Sequence, residues 1–323
     1  MKVHRDINSL PQFSNAAITI GTFDGVHSGH RQIINQLKKE AAVNEGESVI
    51  ITFDPHPRMI LNLKKNQPSI RLLTTLSEKI ELLNKQEIDH LVIVPFTLDF
   101  SNQPAEEYIS EFLVAKFHPK TIIIGYDHRF GNNRAGDYKL LEKCQEKYQY
   151  EVKEIPEHVL NHVKISSTKI RSALEDNDIE TANECLGYDY FFEGKVIKGN
   201  QLGRTLGYPT ANLEIQNADK LIPADGIYAV NVSIAKENNS SRYFVAESFH
   251  QGMMSIGYRP TIGDDQRMIE VNIFDFNENI YGRTIRVYVK SFMRKEEKFD
   301  NLEALKNQIS IDEINARKLL SMY

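Results

Sequence analysis

Residues 16–30 read AAITIGTFDGVHSGH. A run of small and β-branched residues, Ala16 to Thr22, passes through a glycine-bearing turn. It then enters RQIINQLKKEAA (31–42), whose apolar residues recur at three and four. Strand, turn and helix in that order open a βαβ unit. The alternation continues outward to Pro156. Candidate strands SVIITF (48–53), HLVIVPF (90–96), TIIIGYD (121–127) and YEVKEIP (150–156) are separated by helical patterns at 76–86, 105–117 and 137–148. Several of these strands are apolar throughout, as strands covered by helices on both faces are. The spacing predicts a doubly wound, Rossmann-like parallel sheet, followed by short helices at Ser167 to Leu174 and Asp178 to Leu186.

Beyond Gly187 the texture changes to alternating strands punctuated by Gly, Pro and Asn, which predicts an antiparallel β-barrel. Its expected strands are FFEGKVIK, TANLEI, GIYAVNVSIA, SRYFVAES, a separate run around MMSIG, MIEVNIFDF and TIRVYVKSFM. The closing LEALKNQISIDEINARKLL (302–320) has amphipathic spacing and is expected to be a helix packed on the barrel. The expected domains are therefore 1–186, α/β, and 187–323, all-β with a C-terminal helix.

The 323 residues suit two domains at roughly 150 residues each. With 41% apolar and 26% charged residues, a disordered or fibrous chain is excluded. A net charge of −5 argues against nucleic acid or an anionic membrane surface as partner. The longest apolar runs are far below the roughly 18 residues of a membrane span. MKVHRDINSL lacks the apolar core of a secretory signal, so a cytoplasmic protein is expected. Cys144 and Cys185, the only cysteines, read as small buried hydrophobes. Nine of the ten histidines precede Gly187 and only His250 follows it. If both halves do chemistry, they do it with different side chains.

GTFDGVHSGH places backbone N–H groups and a helix N-terminus where an anion would be welcomed. His27 and His30, three apart, share one face of a first helical turn and can address one phosphate together. The bland alternative is a glycine turn with two incidental histidines. A zinc pair is the third, weak without another ligand nearby. Later, Ser166, Ser167 and Thr168 precede a helix and offer hydroxyls and N–H groups, with Lys169 and Arg171 adding charge. That segment also reads as an ordinary N-cap with a solvated face.

In the second half, residues 194–213 carry four glycines, including Gly199, Gly203 and Gly207, in a basic loop that could cradle phosphates or simply form a hairpin. Thr210 and Asn212 share parity, so both can offer oxygens to Mg²⁺ on one face. Ile269, Val271 and Ile273 form an apolar face that leaves Glu270 and Asn272 on the other. Glu270 is either a solvent-facing strand residue or, in a half almost without histidine, the natural general base for a hydroxyl.

Resemblance sharpens both halves. GTFDGVHSGH resembles the HxGH signature of the adenylyltransferase superfamily in its bacterial FAD synthetase form. TFDPHPR (52–58), GYDHRFG (125–131) and SSTKIR (166–171) are similar to later motifs of that module, in its order. The resemblance implies adenylylation of FMN by ATP, with His27 and His30 on the transferring phosphate and Gly21, Phe23, Asp24 and Gly29 around the nucleotide. It implies Ser167, Thr168 and Arg171 on the pyrophosphate side, and Phe53, His56 and Asp127 toward the flavin. GYPTANL resembles the PTAN motif of riboflavin kinases, and IGYRPTIG, MIEVNIFDF and MRKEEKFDNLEAL are similar to that family's later segments. This implies Thr210 and Asn212 on Mg²⁺ and ATP, Glu270 as base on the ribityl hydroxyl, and Arg294 on the flavin.

The whole therefore resembles the bifunctional riboflavin kinase and FAD synthetase family, with riboflavin, FMN and ATP as partners and Mg²⁺ as cofactor. Two features depart from the pattern. ESFHQGMMS (247–255) is longer and more polar than the expected link and reads as a loop of undefined role, His250 included. Asn161 and His162 stand where a basic residue is expected. Competing readings are an adenylyltransferase for another phosphate-bearing acceptor, which the attached barrel disfavours, and a flavin-binding regulator without turnover. The latter is disfavoured by the presence of His27, His30, Thr210 and Glu270.

Overall fold

The computed structural model describes residues 1–155, 165–199, 202–236, 244–258 and 267–322. By compactness the chain divides into two units, 1–72 with 76–166, and 73–75 with 167–323. The division falls at Ser166/Ser167, earlier in the chain than the change of texture at Gly187.

The first unit is a six-stranded parallel sheet with strand order β1-β4-β3-β2-β5-β6. These strands are β1 (Lys2–His4), β2 (Ala17–Ile20), β3 (Ser48–Asp54), β4 (His90–Pro95), β5 (Thr121–Gly125) and β6 (Glu151–Ile155). Every residue of β2 is buried, as are the first four of β5 and six of the seven in β3, which is why these runs read as continuously apolar. Helices α1 (Ser28–Val43), α2 (Pro57–Lys64) and α3 (Leu76–Asn84) follow. The expected helix at 105–117 is interrupted: Ala105–Glu107 and Ala115–Phe117 are α-helical, but Tyr108–Val114 forms a π-helix. Phe112, Leu113 and Phe117 from this stretch join Ile18, Ile20, Val92 and Ile122 in the core.

The chain runs outward from β2 through β3 to β4, then crosses back to lay β5 on the other side of β2. That reversal falls between β2 and β5, and the carboxyl ends of the strands at such a switch point are where open α/β sheets hold ligands.

The second unit opens with helices Ser167–Glu175 and Ile179–Leu186 and continues as a closed antiparallel barrel ordered β10-β11-β8-β7-β12-β9. The strands are β7 (Phe191–Ile197), β8 (Ala211–Glu214), β9 (Gly226–Ala235), β10 (Ala246–Tyr258), β11 (Arg267–Ile273) and β12 (Thr284–Arg294). Val271, Met254 and Tyr228 are consecutive register partners and fully buried, with Val230, Val232, Val287 and Val289 continuing the interior. The closing helix, Leu302–Leu320, buries Ala316 and Leu320 against Ala229, Met253 and Phe274.

One expectation is corrected. SRYFVAES and MMSIG are not two strands joined by a loop: Ala246–Tyr258 is one 13-residue strand, paired to β9 along most of its length and to β11 from Gly252 onward. Glu247–Ser255 is therefore strand, with one register irregularity between Ala246 and Ser248. His250 accepts or shares a hydrogen bond with Ser248 Oγ at 2.9 Å and meets Phe276 edge-on. Pro156, Asn161, His162, residues 241–243 and 259–263 of the quoted motifs lie outside the described residues.

Candidate active sites

In the first unit, the segments that carry the motifs all follow carboxyl ends of strands: GTFDGVHSGH after β2, DPHPR after β3 and YDHRFG after β5. The turn after β2 is tightly wound, with Phe23, Gly25 and Val26 all at positive φ (47°, 84° and 38°). A β-branched residue in that region is a local strain of the kind that concentrates at ligand-binding turns.

His27 is the N-cap of α1, its Nδ1 accepting the backbone N–H of His30 at 3.3 Å. The two rings stack with centroids 3.7 Å apart, and Phe23 lies 5.0 Å from the His30 ring. Gly29 makes this stack feasible, because a Cβ there would meet His27 Nδ1 at 3.3 Å. Gly21 likewise leaves room for the Phe23 ring. Burial, then the neighbouring His27 and Lys79, hold His30 well below the usual imidazole range, so it is neutral at pH 7. Its Nδ1 is buried and has no hydrogen-bond partner among the described residues.

Asp24 is 1% exposed. Phe53, the penultimate residue of β3, packs edge-on against Phe96 at 5.5 Å in an aromatic wall that continues through Phe100 and Tyr108 to Phe130. His56 caps α2 by accepting the Arg58 N–H at 3.1 Å and is buried. Asp127 is exposed in the turn after β5.

Lys79 was not anticipated as a site residue. It is 5% exposed on α3, with Asp24 and Asp54 as its electrostatic neighbours. Its position was the available signal: it stands three residues after Leu76 and four before Leu83, on the apolar stripe of that helix. A lysine in such a stripe is a buried lysine.

In the second unit, Ser167, Thr168 and Arg171 all lie on the first two turns of helix Ser167–Glu175, with Thr168 exposed and Arg171 buried. The barrel candidates align in one cross-strand row: Asn212 pairs with Glu270, Glu270 with Ser255, Ser255 with Ile227, and Ile227 with Arg294. All stand on the parity opposite the Val271–Met254–Tyr228 interior. Asn272, two residues on, donates from Nδ2 to Pro209 O at 2.7 Å, fixing the Pro-Thr-Ala-Asn turn to β11.

Two glycines make close approaches at and just before Asn212. A Cβ on Gly199 would lie 2.3 Å from Asn212 Nδ2, and one on Gly203 would lie 2.3 Å from Tyr208 O and 3.4 Å from Thr210 Oγ1. Gly207 sits at φ 88° in an open turn. Asn212 is buried, yet its Oδ1 has no hydrogen-bond partner among the described residues. At the far end of the row, Arg294 is engaged by Asp312 of the closing helix through two bonds of 2.9 and 2.6 Å. Glu296, which accepts the Ser255 hydroxyl at 2.8 Å, was also missed. Burial raises its carboxyl above the ordinary range, helped by Asp225 and Glu270 and opposed by the Ser255 bond.

Stacked histidines on a helix N-terminus after a parallel strand, and a closed barrel in which a carboxylate is the register partner of a buried asparagine, together suit an enzyme that handles phosphates. Residues 10–169 match the family model for FAD synthetase and residues 186–320 that for riboflavin kinase. Curated relatives span the whole length. The bifunctional riboflavin kinase/FMN adenylyltransferase of Buchnera aphidicola subsp. Schizaphis graminum is 39% identical, over 97% of this chain and 96% of the relative. That of Escherichia coli strain K12 is 34% identical over 100% and 99%. A crystal structure from Streptococcus pneumoniae, described as a macrolide-efflux protein, superposes with a TM-score of 0.83 at 30% identity and covers 98% of both chains. Among the described residues of the present chain, no helix is long and apolar enough to cross a membrane.

The chain belongs to the bifunctional riboflavin kinase/FMN adenylyltransferase family. It phosphorylates riboflavin to FMN with ATP in its C-terminal part and adenylylates FMN to FAD in its N-terminal part.

Proposed function

We propose that the two reactions are carried by two separate residue sets, the adenylyltransferase within residues 1–186 and the kinase within 187–323. In the first, an oxygen of the FMN phosphate bonds to the α-phosphorus of ATP while the α–β bridging bond breaks and pyrophosphate leaves with the electron pair. Such a reaction asks for alignment and charge neutralisation and needs no covalent enzyme intermediate. His27 and neutral His30 contribute ring N–H groups to the transferring phosphate, and the α1 N-terminus adds its dipole. The stacked rings and the unpartnered His30 Nδ1 support this role. Gly21, Phe23, Asp24 and Gly29 shape the nucleotide turn. Phe53, His56 and Asp127 face the flavin side. Ser167, Thr168 and Arg171 are assigned to the pyrophosphate on the resemblance of SSTKIR.

In the kinase, Glu270 takes the proton of the ribityl terminal hydroxyl as its oxygen attacks the γ-phosphorus of ATP and ADP leaves. Gly199, Gly203 and Gly207 admit the phosphates close to the backbone, and Arg294 borders the flavin. Thr210 and Asn212 suit Mg²⁺: they offer neutral hard oxygens, and the buried Asn212 Oδ1 is an acceptor without a donor among the described residues. When bound, Mg²⁺ supplies charge neutralisation at the ATP phosphates. We place both reactions in the cytoplasm, where ATP is available.

The observation that carries the assignment is the register pairing of Glu270 with Asn212 in a barrel separate in chain from the His27–His30 stack. Replacing His27 with Ala is expected to stop FAD formation from FMN and leave FMN formation from riboflavin intact, as read by chromatography of the flavins.

A further inference from the structure

The barrel row holds a serine that the two reactions, as assigned, do not use. Ser255, half-buried on β10, is the register partner of Glu270 on β11, so the two side chains stand side by side on the face opposite the apolar interior. A serine hydroxyl beside a carboxylate can donate its one hydrogen there. Ser255 instead gives it to Glu296, at 2.8 Å, and makes no other hydrogen bond among the described residues. With that hydrogen committed, Ser255 Oγ can only accept from whatever lies beside Glu270.

Glu296 is fitted to its place. It stands two residues beyond Arg294, the end of the row, and reaches back to β10 over a position without a side chain: a Cβ on Gly257 would fall on the Glu296 carboxylate. Any other residue there would push the acid off Ser255. A single serine–carboxylate bond contributes only about 1 kcal/mol to stability, so folding alone does not account for an acceptor held ready next to the base.

The substrate supplies the donor. The terminal hydroxyl of the ribityl chain must reach Glu270 to be deprotonated, and the next carbon of that chain carries a second hydroxyl. Opposed Cβ atoms on neighbouring strands lie about 5 Å apart, so a chain whose last oxygen meets Glu270 brings its next oxygen within reach of Ser255.

We propose that Ser255 is a specificity-determining residue of riboflavin phosphorylation, its Oγ accepting a hydrogen bond from the ribityl hydroxyl next to the one phosphorylated, and that Glu296 is the positioning residue that keeps Ser255 an acceptor. Neither residue exchanges a proton or forms a bond to phosphorus. This role rests on the assignment of Glu270 as the base.

The probe is 4′-deoxyriboflavin, which keeps the terminal hydroxyl and lacks its neighbour. In the full-length chain, the wild type is expected to favour riboflavin over this analogue by about tenfold or more in kcat/KM. Ser255→Ala should lower kcat/KM for riboflavin by about that factor while leaving the analogue within about twofold and KM for ATP within about threefold. Glu296→Ala, which frees the serine hydroxyl to rotate, should give a discrimination between the two. Each discrimination compares two substrates in one preparation, so it does not depend on the fraction of protein folded. A Ser255→Ala enzyme that keeps the wild-type discrimination, or that loses both substrates equally, overturns the proposal. So does a wild type that fails to discriminate, or wild-type discrimination in Glu296→Ala. A Glu270→Gln control separates the two levels: retained phosphorylation there defeats the base assignment itself, whereas an inactive Glu270→Gln with unaltered discrimination in Ser255→Ala defeats only the serine.

Discussion

Glu270 and Asn212 are direct register partners across β11 and β8, on the face of the barrel opposite its apolar interior. Directly opposed residues of an antiparallel pair hold their Cβ atoms about 5 Å apart, close enough for one substrate to meet both side chains. The row continues through Ser255 and Ile227 to Arg294, so the candidate base, metal ligand and flavin contact share one strip of barrel surface.

The pose of Asn212 depends on an absent side chain. A Cβ at Gly199 would come within 2.3 Å of the Asn212 amide. Gly199→Ala is therefore expected to cut riboflavin phosphorylation at least tenfold and to raise the Mg²⁺ concentration for half activity, with FAD formation from FMN unaltered. Asn212→Ala should do the same more strongly. Mg²⁺ titrations of the two activities in one preparation check both.

Asp312 is 3% exposed on the closing helix and takes both Arg294 bonds, with Gln308 adding a third at 2.9 Å. Removing the carboxylate strands a partly buried guanidinium, a change that costs about 3–5 kcal/mol. Asp312→Ala is expected to lower the unfolding free energy of the barrel by that order in urea melts. Exposed pairs such as Lys38 with Glu87 should give less than about 1 kcal/mol when broken.

His128, in the turn after β5, has its proton affinity lowered to a pKa of about 4, first by burial and then by Arg134 and Arg129, with Asp127 opposing. Because the unfolded chain titrates near 6.5, its unfolded form takes up a proton that the folded form refuses as pH falls. The stability this group contributes is fully present above pH 6.5 and is lost progressively toward pH 4. Urea unfolding followed at pH 7.5 and pH 5 should show a loss on the order of 2 kcal/mol for the wild type that His128→Gln largely removes.

The parallel sheet was readable because its strands are buried on both faces and so are apolar from end to end, as in Thr121–Gly125. The closing helix was readable to the residue because Asn301 caps it and its amphipathic spacing runs unbroken to Leu320. β1 escaped notice because three residues paired to a single neighbour carry no period. β10 was divided because its first half alternates exposed and half-buried residues, so Glu247, His250 and Gln251 read as loop chemistry. Parity in the strand placed Glu270 opposite the apolar face, but only the register revealed Asn212 as its partner. The burial of Lys79 is not legible from its residue type, because lysines on amphipathic helices usually lie on the wet side.

Glu270→Gln in this chain, supplied with MgATP and either riboflavin or FMN, separates two sites with Glu270 as the kinase base from a single shared one. It is expected to form no FMN from riboflavin and to form FAD from FMN as the wild type does, measured by separating the three flavins. Retained phosphorylation of riboflavin, or loss of both products in a folded protein, would contradict it.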